Sequence, residues 1–274
     1  MTPPLTFLYT PADRPDRVRK ALESTADVVL VDLEDAVAPA HKDEARANAV
    51  RLLASGTRPV QVRVNHPSTP WHEADLAALA GLPLTVGARI PKTESPQEIL
   101  VLAAALPGRA LHPLIESALG VERALEIATA SPAIASISLG EADLRSDLQV
   151  DDEAALAWPR SRVIVAARAA RLPPPAMSVY PNVRDLEGLA ASCRAGRALG
   201  FRGRTAIHPV QLETIRSAFL PTPREVLRAK EVLDRVAGAT AAGVGAIALA
   251  DGTFLDVAMV EQARAVLTLA DPAP

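Results

Sequence analysis

The stretch that most restricts what this chain can fold into is Leu111 to Leu148, LHPLIESALGVERALEIATASPAIASISLGEADLRSDL, in which each of two short apolar runs ends in acid. The runs, Ala110 to Ile115 and Ile134 to Leu139, are bounded by turns, and an amphipathic helix starts between them near Leu119, so the unit reads β-α-β. Parallel strands joined by a helix end on the same side of their sheet. Glu116 and Asp143 therefore stand past the carboxyl ends of neighbouring strands. That placement suits a hard divalent cation such as Mg²⁺, which takes one or two protein carboxylates and fills its other positions with water and substrate oxygens. Taken singly, each acid has a blander reading: Glu116 as a cap on the next helix, Asp143 as a solvated loop acid.

Other strand ends repeat the pattern. Leu5 to Pro11 reads as a first strand, followed by the turn ADRPD and a helix over Val18 to Ser24; DVVLVDLED, Asp27 to Asp35, is the most strand-like segment and ends in a cluster of acids. A helix over His41 to Ala54 leads to a third strand, Val60 to Asn65, ending near Arg63. A short helix, Asp75 to Ala80, leads to a fourth strand, Leu84 to Ile90, then Pro91, Lys92 and a helix from Ser95. After the central stretch come a helix over Asp152 to Leu172, a weak seventh strand at Ala176 to Val179, a helix over Leu186 to Leu199 and a short eighth strand, Thr205 to His208.

Eight β-α units with polar residues at most strand ends predict an α/β fold, a (β/α)8 TIM barrel with its active site at the carboxyl face. A doubly wound open sheet is the alternative, disfavoured because neither G-x-G-x-x-G nor G-x-x-x-x-G-K-[ST] follows the first strand. With 49% hydrophobic but only 3% aromatic residues, Ala, Val, Leu and Ile must build the core, which suits parallel strands buried on both faces.

The barrel is expected to span residues 1–220, and 221–274 to form an appendage: a helix over Pro223 to Ala237, a small-residue linker from Ala239 to Gly245, a hairpin over Ala246 to Asp256 around Asp251-Gly252, and a helix over Val257 to Leu269. This helix-hairpin-helix is either a mobile lid or a static addition. A formal charge of -3 and the lack of a basic stripe interleaved with aromatics point away from nucleic acid. The N-terminal apolar run is too short for a signal peptide, and no apolar segment reaches about 18 residues without a charge or turn, so no membrane partner is expected. The single cysteine, Cys193, permits no internal disulfide and reads as a spectator thiol in a reducing cytoplasm.

Arg63, Glu116 and Asp143 at one barrel mouth would be equipment for making or breaking a C–C bond beside a carbonyl. A cation on the two carboxylates polarises the oxygens of a 2-oxo or 2-hydroxy acid, while the guanidinium binds a carboxylate or a developing enolate oxygen. Arg63 alone also reads as a strand-end ion pair. The turn from Gly140 into the next helix offers backbone N–H groups of Glu141 and Ala142 to an anionic substrate oxygen. Ser138 reads as an inward strand residue.

The segments TPADRPDR (10–17), VDLEDAVAP (31–39), VRVN (62–65), TPWHEADL (69–76), PK (91–92), LIESALG (114–120), LGEADLRSDL (139–148), RALGFRGRTAIHPVQ (197–211) and DGTFLDVAMVEQA (251–263) cover nearly the whole chain. Together they resemble the citrate lyase beta-subunit-like family of CoA-ester lyases, within the HpcH/HpaI aldolase and citrate lyase superfamily. The resemblance implies a Mg²⁺-dependent barrel lyase, often a homotrimer or dimer of trimers. Such enzymes cleave or form malyl-CoA, citramalyl-CoA or citryl thioesters, with acetyl-CoA or acetyl carrier protein and a 2-oxo acid as the other side of the reaction. It implies Glu116 and Asp143 as metal ligands, Arg63 as a substrate ligand, and Arg17 and Lys20 as contacts to the CoA phosphates. Asp256 matches an acid that the C-terminal lid delivers into a neighbouring subunit's site as acid or base. Asp32, Glu34 and Asp35 would orient ligands and water, with Lys92 and His208 as supporting residues at the mouth. Ala12 and Gln149, where glycine is usual, and SVYPNV (178–183), in place of an Ile-Asp strand, depart from the pattern and bear on acyl and carrier specificity. A CoA-independent 2-oxo acid aldolase, a malyl-type thioesterase and a non-catalytic subunit of a multi-enzyme lyase are the alternatives.

Overall fold

The computed structural model describes residues 4–56, 58–241, 247–248, 254–255 and 257–270. Their contacts divide into a unit from Pro4 to Arg216 and a C-terminal unit from Ser217. In the first, seven parallel strands form one curled sheet: β1 (Thr6–Pro11), β2 (Val28–Asp32), β3 (Val60–Arg63), β4 (Val86–Ile90), β5 (Leu111–Ile115), β6 (Ser138–Leu139) and β7 (Arg204–Ala206). Their spatial order is β6-β5-β4-β3-β2-β1-β7. Between them run α1 (Pro15–Leu22), α2 (Lys42–Leu53), α3 (His72–Ala80), α4 (Pro96–Ala105), the short α5 (Ala118–Glu122) and α6 (Ala124–Thr129), α7 (Glu141–Leu148), α8 (Ala157–Ala169) and α9 (Leu186–Leu199), with α10 (Gln211–Phe219) after β7.

Local chemistry sets the helix ends. Pro96 opens α4 behind Ser95, whose Oγ accepts from the Glu98 amide at 3.3 Å. Asp185 caps α9 in the same way at 2.8 Å, and Gly200 ends it with a φ of 111°. Val29, Val31, Val62, Val86, Ala88, Ile90 and Leu111 are all buried, and burying each of the larger ones contributes about 1.5–3 kcal/mol.

The expected eighth strand forms as β7, but the expected seventh, Ala176 to Val179, does not. Met177 makes a single bridge to Arg204, and no ladder among the described residues joins it to β6, so the barrel is only partly closed. Pro173 to Pro175, which have no N–H, keep a ladder from extending back from Met177. The run from Ile134 likewise contributes one bridge, to Leu111, before β6 begins at Ser138.

Register places the chemistry. Pro11, Asp32, Arg63, Arg89 and His112 are successive partners across β1 to β5. Residues paired in one row of a parallel sheet share a face. The C-terminal unit contains α11 (Pro223–Ala241), the antiparallel pair β8 (Ile247–Ala248) and β9 (Phe254–Leu255), and α12 (Val257–Ala270). Its core is Ala229, Val232, Leu255 and Ala263, flanked by Leu233, Val236 and Val266. The helix α11 runs on through 239–241, where a linker was expected, in keeping with the helix propensity of alanine; residues 242–246 lie outside the described set. Among the described residues no helix is long and apolar enough to cross a membrane.

Candidate active site

A cavity of about 450 Å³ sits at the carboxyl ends of the strands, with Tyr9, Asp32, Arg63, Arg89, Glu116 and Asp143 in its wall. Arg63 ends β3 and is gripped from β2: its Nε and Nη2 donate to the two oxygens of Asp32 at 2.7 and 2.6 Å. Nη1 lies 2.9 Å from Glu34 and 3.6 Å from Asp35. The ring of Tyr9 supports the guanidinium at 5.1 Å. These partners hold Arg63 well above its ordinary pKa against the opposing effect of burial. Asp32 also accepts from the amides of Glu34 and Ala36, which turns the acidic loop back over the strand end.

Lys92 ties this loop to Glu116. Its Nζ donates to Glu34 at 2.5 Å and to Asp35 at 3.4 Å, while its backbone N–H donates to Oε2 of Glu116 at 2.8 Å. It adopts a φ of 50°, in the left-handed region that a lysine rarely visits.

Glu116 is not the cap of the next helix: Ser117 is, its Oγ accepting from the Gly120 amide at 3.2 Å. The carboxyl of Glu116 instead turns inward at 4% exposure, against Gly140. Burial, followed by the charge of Asp143, pushes it up to about 7, against the lowering effect of the Lys92 amide. Asp143, in the first turn of α7, is half-buried and lines the cavity. The two acids thus form a crowded pair that a divalent cation would relieve. Among the described residues no group of three or more His, Cys, Asp or Glu side chains is placed to hold a metal ion, here or elsewhere, so the candidate site rests on this pair.

Other expected residues divide. The carboxylate of Glu141 is taken by Arg160 at 2.8 and 2.6 Å and its amide donates to Ser178 Oγ, so of the two expected amides that of Ala142 remains for a ligand. Leu139, not Ser138, lines the cavity. Arg17 and Lys20 stand on the exposed side of α1, and His208 is exposed. The Cys193 thiol is buried and pushed up by that burial, as a spectator would be. Asp256 lies outside the described residues.

Sequence reading missed a buried polar brace behind the acidic loop. Lys42 donates to the carbonyls of Leu33 and Glu34 and to Asn65, each at 2.7 Å. Asn65 and Arg46 both bind Asp75, and His72 bonds the Asn65 carbonyl. Sequence reading also missed Arg89, which β4 presents to the cavity beside Arg63.

The profile of HpcH/HpaI aldolase/citrate lyase matches residues 5–209, the part that builds this cavity. The chain belongs to the HpcH/HpaI aldolase/citrate lyase family. Relatives in the family include the citrate lyase subunit beta of Leuconostoc mesenteroides subsp. cremoris, 31% identical over 97% of this chain and 93% of the relative. A (3S)-malyl-CoA thioesterase of Cereibacter sphaeroides is 35% identical over 97% of this chain and 94% of its own. The crystal structure of Mycobacterium tuberculosis CitE in complex with magnesium, acetoacetate and coenzyme A superposes with a TM-score of 0.84 at 32% identity, covering 97% of this chain and 98% of CitE. The HpcH/HpaI fold is thus shared along almost the full chain.

Proposed function

We propose that the chain is a Mg²⁺-dependent CoA-ester lyase that cleaves or forms a 3-hydroxyacyl thioester of the malyl-CoA, citramalyl-CoA or citryl type, with acetyl-CoA and a 2-oxo acid as the products of cleavage. The observation that carries this reading is the buried Glu116 carboxyl, pushed up by burial and by Asp143 at the mouth of the cavity. Glu116 and Asp143 would hold Mg²⁺, which as a Lewis acid supplies polarisation of the oxygens of a 2-oxo or 2-hydroxy acid. Magnesium and coenzyme A bound to the CitE relative support the assignment.

Arg63, fixed by Asp32 and Glu34, lines the cavity and binds the substrate carboxylate. The Ala142 amide at the start of α7 holds an anionic oxygen, and Arg17 and Lys20 meet the CoA phosphates. In cleavage the substrate hydroxyl loses its proton, the C–C bond breaks towards the thioester, and the enolate is protonated to acetyl-CoA. Asp256, from a neighbouring subunit of a homotrimer, is the proposed acid or base, with the C-terminal helices and hairpin as its lid.

The test is release of acetyl-CoA from racemic malyl-CoA, citramalyl-CoA and citryl-CoA with and without Mg²⁺. Release from at least one of them that needs Mg²⁺ and is lost in Glu116→Ala is expected; no release from any of the three would overturn the reading. The 35% identical malyl-CoA thioesterase favours a second reading, hydrolysis of the same thioester. Free CoA with malate, in place of acetyl-CoA with glyoxylate, identifies it.

A further inference from the structure

Arg89 is 4% exposed and its side chain lines the cavity with Tyr9, Leu114, Leu139 and Thr205. Unlike Arg63, its partner in register, it forms no ion pair among the described residues. Its Nε is buried without a hydrogen bond, and Nη1 reaches only the neutral amide oxygen of Gln61, at 3.2 Å. Its other neighbours are the Tyr9 ring, 5.9 Å away, and His112, the next residue in the row. The His112 imidazole is pushed down to about 3 by burial and by the Arg89 charge, so it too is neutral near pH 7. A buried cation without an anion is costly, and packing alone does not call for it. Arg63, with most of its donors taken by Asp32 and Glu34, is left for one carboxylate and not for a second.

We propose that Arg89 is a specificity-determining residue that reads a second carboxylate on the substrate. This inference rests on the lyase reading and narrows it. The carbinol carbon of the thioester would carry a side group ending in carboxylate, and the 2-oxo acid released would be a dicarboxylate. One carboxylate stays at the rim near Arg63 and the Glu116–Asp143 pair, and the second enters the cavity to meet the fork of Arg89. Side groups of hydrogen or methyl leave the guanidinium unpaired and are disfavoured.

The test is calorimetric titration of the Mg²⁺-loaded protein with pyruvate and with oxaloacetate, which differ by one carboxylate. Oxaloacetate is expected to bind roughly 10- to 100-fold more tightly, the range for a hydrogen bond to a charged group. Arg89→Gln should remove the preference while leaving pyruvate affinity unchanged, and Arg89→Lys should restore part of it. Equal affinities in the wild type, or a preference that survives Arg89→Gln, would overturn the inference and leave the lyase reading standing. Failure of both acids to bind would overturn the two together. Ligand-free Arg89→Gln should melt no lower than the wild type; a clear fall in Tm would make Arg89 a structural residue instead.

Discussion

Glu116 occupies the space that a side chain at Gly140 would need: a Cβ built there falls 2.5 Å from Cγ of Glu116 and closer still to its carboxyl oxygen. The φ of -99° at Gly140 is open to any residue, so contact and not backbone strain demands glycine. Gly140→Ala should push the buried carboxyl off the Lys92 amide and destabilise the protein by about 1–3 kcal/mol. It should also abolish most of the rise in Tm that Mg²⁺ gives the wild type, since a misplaced ligand lowers affinity. Thermal melts with and without Mg²⁺ check both effects, and an unchanged Mg²⁺ response would show that Glu116 is not a ligand.

Lys42 is 5% exposed and spends its donors on two loop carbonyls and Asn65, with its charge 5.2 Å over the Trp71 ring. Lys42→Met keeps much of the side-chain volume but leaves buried acceptors unmet, at a cost of about 3–5 kcal/mol. The loop that carries Glu34 and Asp35 should loosen with it. A lower urea midpoint and a loss of turnover on the order of 10-fold are expected; a midpoint within error of the wild type would remove Lys42 from the brace.

His112 supplies a pH dependence that is separate from the proposed metal ligands. Its ring packs on Gly87, bonds Ser136 at 2.8 Å, and titrates at about 3 in the folded protein against 6.5 ordinarily. Between those values the unfolded chain binds the proton and the folded one does not. Its contribution is therefore complete above pH 6.5 and is lost as pH falls towards 3, at about 1.4 kcal/mol per pH unit. Glu34 and Glu116, both raised, slope the other way, so the readout is the difference between wild type and His112→Gln. Between pH 6.5 and 5 the wild type should lose roughly 2 kcal/mol relative to the variant.

Strand runs such as Val28–Asp32 and the helix Leu186–Leu199 were legible because apolar blocks and caps are local signals. So were the acids at their ends, because a strand end is visible in sequence even when its neighbours are not. What could not be read was register. In VGARI the arginine looks like a solvent-facing break in an apolar run, and only its pairing with Arg63 turns it inward. The brace of Lys42, Asn65 and Asp75 is hidden for the same reason, since its members come from three elements that meet only on folding. The seventh strand read at Ala176 to Val179 shrinks to one bridge at Met177, because an apolar run in sequence does not show whether a neighbouring strand pairs with it.

The row Asp32, Arg63, Arg89, His112 has a consequence for how the chain polices its own folding. A slip of one residue in β3 or β4 would carry an arginine to the helix-packed side and draw a valine or alanine into the polar interior. Charge stranded against that outer apolar layer cannot persist, so a misregistered molecule should unravel and try again before it could survive as a folded but inactive protein. The residues that equip the cavity thus also act as a checksum on strand alignment.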